Sequence, residues 1–287
     1  MTPVEISAEL VKTLREKTNC GFMDCKKALK ETGGDLEAAI AYLRQKGIAV
    51  ATKRAERATS EGTVWAALNP AGTAGVLLEV NCESDFVAKT DSFQDFGRTL
   101  AEQLLTQEVA DVEALLAAPW AADPKLTVGD YLNEIIGQLG ENIRIRRFVR
   151  LEGGLVASYI HFGGKIGVLL QMEAPLSDEA RAVAHDLAMQ VAATNPLAVR
   201  REEVDPEAVA KEKAIFEAQA RESGKPEKII EKMVSGRLDK FFKEVCLLEQ
   251  AFVKNPDLTV AKMLEEAGAK LGAPLTVKRF VRFQVGA

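Results

Sequence analysis

The chain has 287 residues, 47% hydrophobic and 28% charged, with 10 Pro and a formal net charge of -5. That length suits about two domains of roughly 100 to 200 residues each, and the composition excludes a disordered chain. Net negative charge argues against general nucleic-acid binding and leaves room only for a local basic stripe.

Residues 6–45 read as three short helices. In the first, Leu10, Val11 and Leu14 recur at helical spacing, and Ser7 is a candidate N-cap whose hydroxyl accepts an orphan backbone N–H. Ile6 and Val11 then fit a hydrophobic staple, while Leu10 at the third helical position rules out a full capping box. The second helix is expected from about Met23 to Leu29, ending at "ETGGD", where Gly33 or Gly34 can turn left-handed. Asp35 caps a third helix whose apolar face is Leu36, Ala39, Ile40 and Leu43. Between the first two, "NCGFMDCKKAL" brings Phe22 and Met23 together. Adjacent helical residues point about 100° apart, so one is expected to face outward, either covering a helix end or forming a partner-binding corner. The following "IAVATKRAERATSEG" reads as a linker or helical connector ending near Gly62. Its Lys53, Arg54 and Arg57 either touch phosphate or simply keep the segment solvated.

The body of the chain is duplicated. "EGTVWAALNPAGTAGVLLEV" aligns without a gap to "GGLVASYIHFGGKIGVLLQM", displaced by 92 residues: Gly62 to Gly154, Val64 to Val156, Leu68 to Ile160, Gly75 to Gly167. Each copy predicts a strand, a Gly-containing turn and a second strand beginning GVLL. A helix follows each, with Phe96, Leu100 and Leu104 on one face in the first and Ala184, Leu187 and Val191 in the second. Matching Leu100 to Leu187 gives a displacement of 87, so the first copy holds about five extra residues in or beside "NCESDFVAKT". "LGENIRIRRFVR" at 139–150 matches "LGAPLTVKRFVR" at 271–282, displaced by 132. Both read as alternating strands. In the first, Arg147 spoils the face of Ile143, Ile145 and Val149, so the inward set can instead include Phe148. The larger displacement places an insertion in the second half. Asp205 and Pro206 start a helix through Ala220, "ESGKPE" turns, and a second helix runs from Pro226 to about Phe242, predicting a protruding helical hairpin at 205–242.

Residue types that carry chemistry are scarce. Cys20, Cys25, Cys82 and Cys246 form no CxxC pair and read as free thiols. His161 and His185 sit at no ligand spacing, so neither a zinc site nor histidine-assisted nucleophilic catalysis is expected. No apolar run approaches the roughly 20 residues of a membrane helix, and the N-terminus lacks a signal-like pattern, so a cytosolic, cytoplasmic protein is expected. The loop "NCESDFVAKT" stands out, because loops held by a rigid scaffold concentrate binding residues. Phe86 and Val87 either pack beneath the loop as a satellite core, with Asp85 capping a turn of helix, or Phe86 is an exposed anchor for a partner pocket, oriented by Asp85.

"LVKTLREKTNCGFMDCKKAL", "SDFVAK", "LGENIRIRR", "SGKPEKIIEKMVSG" and "RFVRFQVG" together resemble the bacterial translation elongation factor Ts family, in order and across nearly the whole chain. The resemblance implies a guanine-nucleotide exchange factor for elongation factor Tu, not an enzyme. It needs no metal or cofactor, no direct nucleotide binding and no membrane. It also implies an α+β fold: a UBA-like (ubiquitin-associated-like) three-helix N-terminal domain and linker over 1–56, then two related antiparallel-sheet-plus-helix core subdomains over 57–152 and 153–287. By motif, the wedge falls on Asp85, Phe86 and Val87, with Ser84 where threonine is usual. Other partner contacts fall on Arg15, Phe22, Met23 and Lys26, on Leu139, Gly140 and Asn142, on His161, and on Val253, beside which Lys254 replaces a residue often apolar. The helical hairpin is left with two roles, self-association or partner contact. The alternative reading is an RNA-associated module in which "IRIRRFVR" and "VKRFVRF" track phosphates. Net acidity and the lack of an evident aromatic stacking platform stand against it.

Overall fold

The computed structural model describes residues 6–18, 20–222, 224 and 226–287. It opens with α1 (Ala8–Thr18), α2 (Phe22–Glu31) and α3 (Leu36–Arg54). The Ser7 hydroxyl accepts the Leu10 N–H at 3.1 Å, and the Asp35 carboxylate accepts the Ala38 N–H at 2.9 Å. Val11, Leu14, Cys25, Ala28, Leu29, Ala39 and Leu43 enclose a small core of their own. Of the two readings of residues 48–62, linker or helical connector, the helical one holds for residues 48–54, which complete α3. Its buried stripe Ala39, Leu43, Gly47, Ala51 steps by four residues, passing from this small core onto the body of the molecule.

The first repeat comprises β1 (Glu61–Leu68), β2 (Ala74–Cys82), α4 (Asp85–Ala88), α5 (Asp91–Thr106), α6 (Val112–Ala117), β3 (Pro119–Trp120), β4 (Asp123–Thr127), α7 (Val128–Leu139) and β5 (Ile143–Glu152). The second comprises β6 (Leu155–His161), β7 (Ile166–Glu173), α8 (Asp178–Thr194), the arm α9 (Pro206–Arg221) and α10 (Glu227–Val245), β8 (Ala251–Phe252), β9 (Asn255–Thr259), α11 (Val260–Leu271) and β10 (Thr276–Gln284). Of the turn predicted at "ESGKPE", residues 223 and 225 lie outside the described residues. Each repeat builds an antiparallel three-stranded sheet, ordered β1-β2-β5 and β10-β7-β6. Helix α5 covers one sheet, packing Phe93, Phe96 and Leu100 on Val76, Leu78 and Val80, and α8 covers the other. The uncovered faces meet through Val64, Leu77, Leu151, Val156, Leu169 and Phe283, giving helix, sheet, sheet, helix.

The repeated glycine of the two GVLL strands has a reason at this meeting. A Cβ on Gly75 would lie 2.9 Å from Val156 and Leu169 side-chain carbons, and one on Gly167 would lie 2.4 Å from Val64 and 3.0 Å from Leu77. These contacts are reciprocal under the displacement of 92, as across a two-fold interface within one chain. Leu77→Ala is therefore expected to cost about 3 kcal/mol, read as a lower urea midpoint at unchanged slope.

The spoiled alternation of the last strand is a β-bulge. Arg147 pairs with Glu79 but Ile145 with Val80, leaving Arg146 extra, and Lys278 is extra between Val277 and Arg279, displaced by the same 132. The extra residue resets the period-two phase. Ile143, Ile145 and Phe148 consequently face α5, while Val149 and Leu151 face the other sheet. Arg147 turns to the sheet interface, where its guanidinium meets the buried Glu79 at 2.7 Å and stacks on Phe283.

Candidate partner-binding site

Strand β2 delivers the chain to the loop. Burial pushes the Cys82 thiol up to about 12, and its Sγ donates to the Ser84 carbonyl at 3.1 Å. Residues 83 and 84 are latched to the turn between α7 and β5. The Asn142 N–H donates to Glu83 Oε1 at 2.6 Å, and the Glu141 carboxylate accepts the Ser84 N–H at 2.9 Å and its hydroxyl at 2.6 Å. Glu83 is also approached by Arg54 at 3.7 Å and Arg57 at 3.3 Å. The Asn142 N–H, followed by Arg57, holds its carboxyl below the ordinary glutamate range. The Asn142 amide donates to the Arg57 carbonyl at 2.8 Å, tying the end of α3 to the same latch.

On this base sits the single turn α4. Ser84, not Asp85, is its N-cap, accepting the Val87 N–H at 3.3 Å, and Asp85 occupies the first helical position. The loop divides the two readings of its apolar residues between them. Val87 and Ala88 are buried in the core beneath, whereas Phe86 is 80% exposed. Asp85 is paired with Lys89 at 2.6 Å, and that hydrogen bond holds its carboxyl below the ordinary aspartate range. The result is an apolar ring held in water on a turn pinned from below.

The other predicted residues take different stations. Phe22 and Met23 are both exposed, where only one was expected to be. Cys25, Ala28 and Leu29 fill the inner face of α2, so its first turn has nothing to bury them against. Arg15 and Lys26 are exposed on the same helical unit. Leu139 is half-buried on the core, and Gly140 ends α7 at φ 72. Asn142 is only 2% exposed and its amide is spent on backbone carbonyls, so it positions the loop instead of offering itself to a partner. His161 ends β6, its Nδ1 2.8 Å from the Tyr159 hydroxyl. Val253 is exposed at the turn of the β8–β9 ribbon, its N–H held by Gln190 at 2.7 Å, and Lys254 is drawn to Asp186 at 2.6 Å.

Sequence reasoning missed the partners of the latch, Glu141 above all. The signal was the register: with Cys82 opposite Ile143, residues 83 and 142 must leave the sheet side by side. It also missed Phe162, next to His161, which is 74% exposed at φ 51. A non-glycine residue held there is strained by about 1 kcal/mol or more.

Fold and site define a class: an α+β protein with a duplicated sheet-and-helix core, a helical unit docked on one side, and one latched loop that presents an aromatic side chain. The family described as Elongation factor TS matches residues 83–287. Elongation factor Ts of Clostridium novyi is 48% identical over 284 residues, 98% of this chain and 93% of that protein. That of Trichlorobacter lovleyi is 48% identical over 288 residues, again 98% and 93%. That of Chlorobium phaeobacteroides is 46% identical over 286 residues, 99% of each chain. The chain belongs to the elongation factor Ts family.

Proposed function

We propose that this chain is the guanine-nucleotide exchange factor of elongation factor Tu, acting in the cytoplasm on the GDP-bound GTPase. Phe86 enters an apolar cleft between helices of the GTPase, while Asp85 exchanges its Lys89 contact for the displaced helix. That displacement disturbs the Mg²⁺ and phosphate-binding elements of the partner, and the bound GDP loses contacts. Factor and nucleotide then oppose one another, and linkage requires each to weaken the other by the same factor. The chain itself holds no nucleotide and breaks no bond, so loading of GTP follows from nucleotide abundance.

The observation that carries this reading is Phe86, exposed on a turn whose neighbours Val87 and Ala88 are buried. A large apolar ring presented so firmly to water fits an interface anchor. With the domains read as 1–56, 57–152 and 153–287, the exposed Arg15, Phe22, Met23 and Lys26 form a second contact, and His161 and Val253 further ones. Self-association through the α9–α10 arm is left as a separate property, read by the mass of the free chain in light scattering.

The RNA reading loses support in the same geometry. Arg147 is engaged by Glu79, Arg150 by Glu108 and Glu152, Lys278 by Glu173, and Arg144 by the Ala55 carbonyl. Cations already paired within the protein release few counterions from a phosphate backbone. The test is release of labelled GDP from purified elongation factor Tu. Acceleration by substoichiometric chain is expected; an unchanged rate, with RNA retained in a salt-sensitive manner instead, overturns the proposal.

A further inference from the structure

The turn between β6 and β7 carries a strain the free protein has no use for. Phe162 adopts φ 51 and is followed by two more positive-φ residues, Gly163 and Gly164. A bulky side chain at positive φ is a true outlier, whereas glycine there is unstrained. In the sister turn the residue displaced by 92 is Pro70, which is locked at negative φ. The repeat therefore does not impose this conformation. Nor does packing, since the ring is exposed.

The ring nonetheless rests on a neighbour. It meets His161 edge-on with centroids 4.0 Å apart, and Tyr159 lies 5.6 Å from His161 on the other side while its hydroxyl bonds Nδ1. Among the described residues Nε2 makes no hydrogen bond, so it is left for a partner. Rings that already rest on one another have less conformational freedom to lose on binding.

The turn stands at the same end of the molecule as the Phe86 loop. A Cβ on Gly164 would lie 2.2 Å from Thr63 Cγ2, and Lys165 is ion-paired with Glu61, so the turn rests on the start of β1. Glu61 lies opposite Cys82, two residues before Ser84. Behind Lys89, Lys165 also helps hold the Asp85 carboxyl low.

We propose that Phe162 is a second aromatic anchor of the partner surface, inserted into an apolar pocket of the same GTPase that Phe86 enters, with His161 Nε2 hydrogen-bonding beside it. The inference rests on the exchange-factor reading, and the occupant follows from continuity with the Asp85–Phe86 surface. Phe162 lies outside the loop that displaces the helix, so it contributes uniform binding: its loss raises the half-saturating concentration and spares the maximal rate.

Two variants keep the turn folded. Phe162→Gly removes both ring and strain, and Phe162→Asn removes the ring with a residue that tolerates positive φ. Both are expected to unfold at a denaturant midpoint no lower than the parent. Both should raise the half-saturating concentration for labelled GDP release about tenfold, with the maximal rate within twofold. A purely structural role would move stability and affinity down together. A folded variant whose half-saturation stays within twofold of the parent overturns the anchor. If the parent fails to accelerate release, the exchange reading fails alone, and titration against nucleotide-free elongation factor Tu still decides the anchor. There, at least tenfold weaker binding by Phe162→Gly supports it, and equal or absent binding overturns it.

Discussion

Phe86→Ala is expected to lower the maximal rate of GDP release from elongation factor Tu at least tenfold while leaving the variant as stable as the parent. The stability half follows from exposure: with 80% of the residue already in water, truncation removes little buried area, and surface changes of this kind stay within about 0.5 kcal/mol. The kinetic half follows from anchoring. Interface aromatics that fill a pocket contribute about 2 kcal/mol or more, and each 1.4 kcal/mol is a factor of ten. On the proposed mechanism the wedge acts only as the partner helix moves, which puts the loss on the maximal rate. Val87→Ala is the contrasting control. Its side chain is buried under the same turn, so it should lower the unfolding midpoint as well as activity. Stopped-flow release of a fluorescent GDP analogue, with urea unfolding alongside, separates the two. A folded Phe86→Ala protein that releases GDP at the parental rate removes the wedge mechanism.

Much of this site was legible because duplication supplies an internal reference. The displacement of 92 places both hairpins, and the drop to 87 isolates an insertion of about five residues that falls within residues 83–90, between β2 and α5. Repeats do not show which way a side chain points. Val87 and Phe86 are adjacent and apolar, and only the depth of the turn over the α5 core separates anchor from floor. Asn142 was assigned as a contact only through the resemblance to the family, and its burial depends on carbonyls of residues 55 and 57, more than eighty positions away. The α7 and α11 pair went unread although "DPKLTV" and "NPDLTV" share the displacement of 132. In both copies the threonine hydroxyl caps the helix that follows, Thr127 for α7 and Thr259 for α11. The bulge was illegible for a different reason: one extra residue inverts the phase of every residue beyond it, so a strict period-two template must fail at Arg147.

Helix α7, which leads into the latch residues Glu141 and Asn142, makes a second large effect predictable, at Gly137. Gly47 of α3 and Gly137 of α7 cross in backbone contact. A Cβ on Gly137 would lie 2.8 Å from the Gly47 Cα, and one on Gly47 would lie 2.9 Å from the Asn133 carbonyl oxygen. Each glycine costs its helix about 1 kcal/mol relative to alanine, and close approach of the two helices offsets that cost. Around the crossing, Arg44 meets Glu134 at 2.6 Å, and burial pushes the Glu134 carboxyl up while the guanidinium draws it down. Helix α3 thus fixes the patch of Arg15, Phe22, Met23 and Lys26 relative to the loop of Phe86. Gly137→Val is expected to lift α3 off α7 while the core of α1, α2 and α3 stays largely intact, because its buried members all precede Gly47 in the chain and form a cluster of their own, with Leu43 lining the same cavity as Gly137. Two contacts held rigidly bind as one, and releasing the strut lowers the effective concentration of the second. The half-saturating concentration for GDP release should then rise at least tenfold, with faster amide exchange along α7 and unchanged protection in α1. Since the proposed mechanism assigns geometry to the strut and displacement to Phe86, the maximal rate should fall much less than in Phe86→Ala. If α7 exchanges faster and the release curve still superimposes on the parent's, the helical unit and the loop act independently, and the two-contact mechanism is wrong.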